Sequence, residues 1–327
     1  MPPFDPSRLE GGICRHWAAR PQHPPRMGDS RRFYSVYGLR VLSDVVLADW
    51  PAADTGEPDV EIRCATCAAP AFGTKLHSAR SEVHKGELHV AVTGVGRYAA
   101  CGGRILKVDP LPDARPEDVL LYLTGAMLGA ILHQRGLHPL HASCVAIGGV
   151  GVGFAGRSGA GKSTLVATLV QRGAHFVSDD VCVVTESASG GLVVWPGAPR
   201  VKLDAVALSS VPGRPEQLEP AGGDRGKYHL PIRDADERTE PVPFRELFLL
   251  CEGEGAPRVE RLRGVDAVAA LVDETYLLAW AAALGQSAQV FQLAGRMARS
   301  LRVYRLVRPR GMELLPTTAA LIARRHS

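Results

Sequence analysis

The chain contains no asparagine and only six lysines, at positions 75, 85, 107, 162, 202 and 227, among its 38 basic residues. That bias reflects coding composition rather than physical need, so an arginine beside a motif says little and a lysine says more. Lys162, Lys202 and Lys227 are the three that fall near motifs. No run of basic residues interleaved with aromatics occurs and the formal net charge is only +4, so no nucleic-acid partner is expected. The longest apolar run, residues 119–132, is too short to span a bilayer, and no basic start followed by an apolar core opens the chain. These absences predict no membrane partner and a cytoplasmic protein. Cysteine is sparse, scattered and odd in number (positions 14, 64, 67, 101, 144, 182 and 251), which fits reduced thiols better than a disulfide framework. The suggestive spacing Cys64-Ala-Thr-Cys67 follows the strand-like Val60-Glu61-Ile62-Arg63 instead of opening a helix, and has no second ligand pair. A redox or zinc role for it is disfavoured.

With 46% hydrophobic and 22% charged residues over 327 positions, the composition is that of a globular protein long enough for two domains. Residues 1–30, rich in proline and arginine, read as a mobile tail. Residues 31–112 hold short extended runs separated by Gly, Pro and Asp turns, which predicts a small β-rich domain. That domain has neither a nucleophile triad nor a metal cluster, leaving scaffold, oligomer contact or partner binding as its roles. Pro110-Leu111-Pro112 breaks the chain, and Pro116 opens a helix to about 134 that Gly136 ends, so residues 113–327 form the second domain. Further helices are expected over 265–270, 276–284, 287–301 and 317–325, with extended segments over 245–251 and 303–307. Arginines recur at 296, 299, 302, 305 and 308; a solvated helix face that turns into a strand near 302 is favoured over a docking face for an acidic peptide.

The second domain is organised around Gly156-Arg157-Ser158-Gly159-Ala160-Gly161-Lys162-Ser163, which follows the apolar run 150–155 and precedes the helical Thr164-Leu165-Val166-Ala167. Strand, glycine loop and helix in that order suit a phosphate. The glycines let successive N–H groups turn inward, and the positive end of the new helix stands behind them. In such a loop Lys162 reaches the β- and γ-phosphates and the Ser163 hydroxyl faces the magnesium ion that bridges them. The loop predicts a nucleotide but no particular reaction.

Asp179-Asp180 lies 16 and 17 residues after Ser163, at the end of the next expected strand, and His141 lies 15 residues before Gly156. Carboxylates adjacent on an extended segment point to opposite faces, so the two are expected to do different jobs. Two further cationic segments follow, Pro199-Arg200-Val201-Lys202-Leu203 and Lys227-Tyr228-His229-Leu230-Pro231.

The stretch from His141 through the loop, Arg172-Gly173 and Asp179-Asp180 resembles HPr kinase/phosphorylase over about residues 137–185. Tyr37-Gly38-Leu39, Leu140-His141-Ala142-Ser143 and the two cationic segments resemble the HPr-kinase-related branch that accompanies lasso peptide and other ribosomal peptide pathways, nearly end to end. The resemblance implies an α/β fold: a P-loop kinase domain of HPr kinase/phosphoenolpyruvate carboxykinase-like type with a mixed sheet, preceded by the small β-rich domain. It implies ATP and Mg2+ as cofactors and a homo-oligomer. The implied activity is phosphorylation of a serine on a precursor peptide or small protein.

By the same resemblance Asp180 takes the serine proton, His141 stands close to the reacting phosphate, Lys162 and Ser163 hold phosphates and metal, and Asp179 supports the site or binds metal. The rest of the loop through Thr164 contacts nucleotide. Arg200, Lys202 and Lys227 become candidates for holding γ-phosphate charge or a peptide carboxylate. The alternatives are an outer-shell metal ligand for Asp180, a packed or capping residue for His141, and surface solvation for the three cations. Three departures stand out: Thr164 replaces the family's acidic residue after the loop serine, the later glycine-rich signature with its magnesium-binding glutamate is absent, and the N-terminal domain is unlike the family's.

Overall fold

The computed structural model describes residues 27–70, 74–76, 79–209, 211, 218–223, 226–232 and 239–326. The expected tail lies outside the described residues up to position 26, but residues 27–30 already belong to a strand. The first sheet comprises β1 (Met27–Val36), β2 (Leu39–Val45), β3 (Val60–Cys64), β4 (Thr74–Leu76), β5 (Ala79–His84), β6 (Glu87–Val92), β7 (Gly96–Cys101) and β8 (Ile105–Pro110). Its spatial order is β1-β2-β3-β8-β7-β6-β5-β4. Period-two patterning builds it: Leu39, Val41, Ser43 and Val45 of β2 all face inward while the residues between them stay half-exposed.

A helical run covers the buried face of this sheet. It starts as α1 (Pro116–Leu121), widens into a π-helical segment (Tyr122–Met127) and continues as α2 (Leu128–Gln134). Pro116 is accommodated where no intrahelical N–H is needed, and Gly136 ends the run at φ 73°, with Leu137 N–H donating back to Leu132 O at 3.0 Å. Tyr98, Leu123, Met127 and Ile131 are fully buried in a core that also takes in Val181, Val183 and Trp280. Hydrophobic packing is thus continuous across the Pro110-Leu111-Pro112 break.

The second half follows as β9 (His138–Leu140), β10 (Ala142–Ile147), β11 (Val150–Ala155), α3 (Lys162–Gln171), β12 (His175–Ser178), β13 (Cys182–Glu186), β14 (Leu192–Trp195) and β15 (Arg200–Asp204). Then come α4 (Ala205–Ser209), β16 (Glu219–Pro220), β17 (Lys227–Pro231), β18 (Val242–Glu252), β19 (Arg258–Arg261), α5 (Gly264–Asp273), α6 (Leu278–Ala283), α7 (Ser287–Ser300), β20 (Arg302–Arg308) and α8 (Leu315–Ala323). The main sheet runs β12-β10-β11-β18-β14-β13-β9, with β20 pairing both β18 and β19. It is mixed: β11 and β20 run parallel to β18, while β10, β12 and β14 pair antiparallel. β10 is buried on both faces. Its Val145 and Ile147 pack with Leu165 of α3 and Ile322 of α8, whereas Cys144 and Ala146 pack with Leu271 of α5 and Ala294 of α7. That two-sided cover explains why its sequence is apolar apart from Ser143. β15, β17 and β16 form a separate three-stranded sheet.

Two local expectations change. The helix expected from 276 begins only at Leu278, because residues 274–277 lie against β9 instead: Tyr276 N–H donates to Pro139 O and His141 N–H to Glu274 O. Asp179 and Asp180 sit in a bend rather than an extended segment, and Asp180 is left-handed at φ 71°. Among the described residues no helix is long and apolar enough to cross a membrane.

Candidate active site

β11 delivers the chain into the glycine loop and α3 starts at Lys162, so the predicted strand, loop and helix are in place. Two glycines are required by geometry. Gly156 has φ 127°, and a Cβ there would come 3.0 Å from Leu250 O; Gly161, the N-cap of α3, has φ 88°, and its Cβ would come 2.7 Å from the Arg308 guanidinium. Lys162 is 7% exposed, and its ammonium donates to Gly156 O at 2.7 Å and to His141 Nε2 at 3.1 Å. Burial lowers its pKa, while Glu274, Asp180 and Asp179 pull the other way.

The adjacent carboxylates diverge. Asp179 turns to the loop: its Oδ1 accepts from Ser163 Oγ at 2.8 Å and from Ser143 Oγ, and its Oδ2 accepts the Lys202 N–H at 2.8 Å. Asp180 turns to the open space, with its carboxylate 3.1 Å from Lys202 Nζ and 3.5 Å from His141 Nδ1. Burial alone would push the Asp180 carboxyl up, but Lys202, then His141 and Lys162, outweigh it and hold the group at about 2. The left-handed backbone at Asp180 produces this split.

His141 follows β9 and stacks on the Tyr276 ring at 5.9 Å. Its Nδ1 lies 3.1 Å from Asp180 O, and its Nε2 faces the Lys162 ammonium. An ammonium has only protons to give, so Nε2 must carry the lone pair and Nδ1 the proton. Burial and then the neighbouring Lys162 lower the His141 pKa, in keeping with this neutral form.

A cavity of about 800 Å³ opens over these groups, lined by His141, Ser158, Gly159, Gly161, Lys162, Ser163, Thr164, Asp180, Lys202 and Lys227. Its far wall comes from elsewhere in the chain: the β6–β7 turn at residues 92–95, the α1 and π-helical segments, and Tyr276 and Leu277. Lys227 opens β17 at the cavity edge, where β17 pairs with β15 and sets Asp204 opposite it. Gly156 and Arg157 lie on the other side of the loop, against Glu274. Ala160 is held by its carbonyl, which accepts from Arg308 Nη2 at 2.8 Å. Arg200 does not line the large cavity: its guanidinium pairs with Asp49, beyond the end of β2, and reaches Thr124 Oγ1 at 3.3 Å.

Several residues of the site had no sequence signal. Glu274 supplies its main-chain carbonyl to His141; burial raises its carboxyl pKa, while the Gly156 N–H and then Lys162 lower it. Tyr276 fits because position 129 is glycine: a Cβ there would come 2.7 Å from the tyrosine ring. Arg308, last of the regularly spaced arginines, is 8% exposed and grips the loop, while Arg299, Arg302 and Arg305 are exposed as a solvated face would be. Arginine is so common in this chain that the position of Arg308 carried no signal. Cys64 and Cys67 are free thiols; burial raises both, Cys67 to about 11, so little thiolate forms.

Residues 136–198 match the family model of the HPr Serine kinase C-terminal domain. No curated protein matches the chain. Among solved structures, the Hpr(Ser) kinase/phosphatase from Coxiella burnetii is similar at 13% sequence identity and a TM-score of 0.32, over 57% of this chain and 95% of that one. The stretch that holds His141, the glycine loop and the Asp179-Asp180 pair is therefore the part of this chain that is similar to the HPr serine kinase C-terminal domain.

Proposed function

We propose that the protein is an ATP-dependent serine kinase that acts on a peptide or small protein, first of all on a lasso-type precursor peptide at its C-terminal serine. One observation carries the kinase reading: two neighbouring carboxylates are divided between the loop and the open cavity, Asp179 on Ser163 and Asp180 beside Lys202 and His141. This arrangement suits phosphoryl transfer, in which positioning and charge neutralisation supply most of the catalysis. The peptide acceptor rests on the resemblance of the 37–39, 140–143, 199–203 and 227–231 segments to kinases of ribosomal peptide pathways.

In this reading the loop N–H groups and the α3 N-terminus cradle the triphosphate, and Lys162 exchanges its contact with Gly156 O for phosphate oxygens. Ser163 Oγ and Asp179 Oδ1, 2.8 Å apart, are hard oxygen donors that suit Mg2+, an ion that keeps water and phosphate in its remaining positions. Mg2+ bound there would neutralise charge developing on the phosphates. Asp180 accepts the serine proton as the serine oxygen bonds to γ-phosphorus and the β–γ bridging oxygen departs on ADP. Lys202 and Lys227 offset charge at the cavity wall.

The test is phosphopeptide formation from MgATP and serine peptides, read by mass spectrometry. Asp180→Asn is expected to slow transfer by about 10²–10⁴ while nucleotide binding persists. Transfer at the wild-type rate would remove Asp180 from the role of base. Phosphorylation confined to an HPr-like carrier protein would replace the peptide acceptor, and binding without transfer to any acceptor would favour a nucleotide sensor.

A further inference from the structure

Four described non-glycine residues have left-handed backbones: Tyr37, Lys85, Asp180 and Leu277. Tyr37 and Lys85 each precede a glycine in a two-residue hairpin turn, where that conformation is required. Asp180 and Leu277 have no hairpin to account for them, and both line the large cavity. A γ-branched residue held at φ 54° is costly and persists where the surroundings over-determine it, commonly at a ligand clamp.

Tyr122 and Ala126 of the π-helical segment, an irregularity that recurs at functional sites in helices, line the same cavity and are half-buried against the same hydrophobic core as Leu277. Position 129, one turn on, is glycine, and a Cβ there would come 3.2 Å from Leu277 Cδ1. Leu277 is thus seated on the helix through Gly129 and presented to the cavity. Leu203 and Asp204 line the same cavity beyond Thr164, since α3 packs on β15. A triphosphate laid along the loop from Lys162 towards Thr164 would send its nucleoside that way. Leu277 follows Tyr276, whose ring stacks on His141, and His141 lies 3.5 Å from Asp180, where an acceptor hydroxyl must come.

We propose that Leu277, Tyr122 and Ala126 form a specificity pocket for an apolar side chain next to the acceptor serine, so that the acceptor is a segment with a hydrophobic residue flanking its hydroxyl. The proposal rests on the kinase reading above and names the acceptor class that reading leaves open. It gives the strained backbone at Leu277 a purpose, because the left-handed turn brings an apolar side chain out of the 274–277 segment beside the base.

The experiment uses the full chain with MgATP and a set of serine peptides that differ only in the flanking residue, chosen from Leu, Phe, Ala, Lys and Asp. Wild-type protein is expected to show kcat/KM about tenfold higher or more for Leu or Phe than for Asp or Lys. Leu277→Gly keeps the backbone conformation without strain and removes the side chain, and is expected to bring that ratio towards unity, with the loss of its packing on the core read separately as a fall in Tm. Ala126→Leu narrows the pocket and is expected to cost the Phe peptide more than the Ala peptide. Nucleotide affinity, measured with a fluorescent ADP, is expected to stay within about twofold in both variants. Incorporation that ignores the flanking residue, or a bias that both variants leave intact, overturns the pocket and spares the kinase. A tenfold loss of nucleotide affinity in Ala126→Leu also overturns it, because the pocket then belongs to the nucleoside. No incorporation into any serine peptide overturns the peptide acceptor and the pocket with it, and the same assay with an HPr-like carrier protein then decides whether the kinase reading survives.

Discussion

Ser163 Oγ and Asp179 Oδ1 lie 2.8 Å apart although helix α3 and strand β12 intervene between them. The contact depends on β12 pairing with β10: Cys144 sits opposite Ser178, which brings the bend after β12 alongside the loop that leaves β11. Ser143, beside that pair on β10, donates to the same Asp179 oxygen. One carboxylate therefore ties the loop serine, strand β10 and, through the Lys202 N–H, strand β15.

Asp179 is accordingly expected to matter for folding as well as for metal. Asp179→Ala strands three donors, each costing about 1–3 kcal/mol if it finds no water. Its Tm and urea midpoint should fall clearly, and more than those of Asp180→Ala. Ser163→Ala removes one donor and leaves the carboxylate its other two, so it should lose Mg2+-dependent nucleotide affinity with little loss of stability. Equal stability losses in the two variants would show that the carboxylate does not organise the site.

The pH dependence follows from Asp180. A carboxyl held at about 2, below its ordinary value, contributes stability that is present above the ordinary carboxylate value and lost as pH falls towards about 2. In the proposed role of base it is ionised throughout the neutral range. In Lys202→Met the strongest of the cations that lower it is gone while burial remains, so its pKa must rise. Between about pH 4 and 8 wild-type kcat is expected to show no acid limb from Asp180, whereas in this variant such a limb is expected to enter that range. A profile identical to that of the wild type would mean that the ion pair at 3.1 Å does not set the state of Asp180.

Much of this was legible in the chain. The apolar run, glycine loop and helix of 150–171 folded as their local propensities dictate, and the helix after Pro116 ended at Gly136 as expected. Short-range signals are read from neighbours. The division of labour between Asp179 and Asp180 was expected from opposite-facing side chains, but a left-handed residue in a bend produces it. Glu274 and Tyr276 reach His141 from more than 130 positions away, through the hydrogen bonds of β9, and no local pattern encodes such a docking. Arg308 was hidden because arginine is too common in this chain to signal anything.

Arg200 illustrates the same limit and yields a further expectation. Its partner Asp49 lies 151 residues earlier, and the two side chains are 19% and 17% exposed. The pair joins β15 of the second half to the segment after β2. Removing either partner leaves a half-buried charge, at a cost of about 3 kcal/mol, whereas Asp49→Ala with Arg200→Ala is expected to cost less than the sum of the two. A double-mutant cycle in urea should therefore give a coupling of about 1–3 kcal/mol. Additive losses, with acceptor KM raised only in Arg200→Ala, would favour substrate binding over a structural role for Arg200, which lines a smaller cavity with Asp180 and Lys202.

Arg308 tests how the loop is held. Its guanidinium donates to Ala160 O at 2.8 Å from the end of β20, and a Cβ on Gly161 would come 2.7 Å from the same nitrogen, so loop and arginine are fitted to each other. Burial lowers the Arg308 pKa, which is the electrostatic cost of keeping that cation under the loop. Arg308→Met preserves most of the volume and removes the donor. The loop should then sample conformations that do not present its N–H groups together, and affinity falls by the fraction of time it is misarranged. Nucleotide Kd is expected to weaken by about tenfold while kcat at saturating nucleotide changes much less, because the bound phosphate reorders the loop. Calorimetric titration with ADP and Mg2+ measures the first quantity and the phosphopeptide assay the second. An unchanged Kd would mean that the backbone of β11 and α3 alone holds the loop in shape.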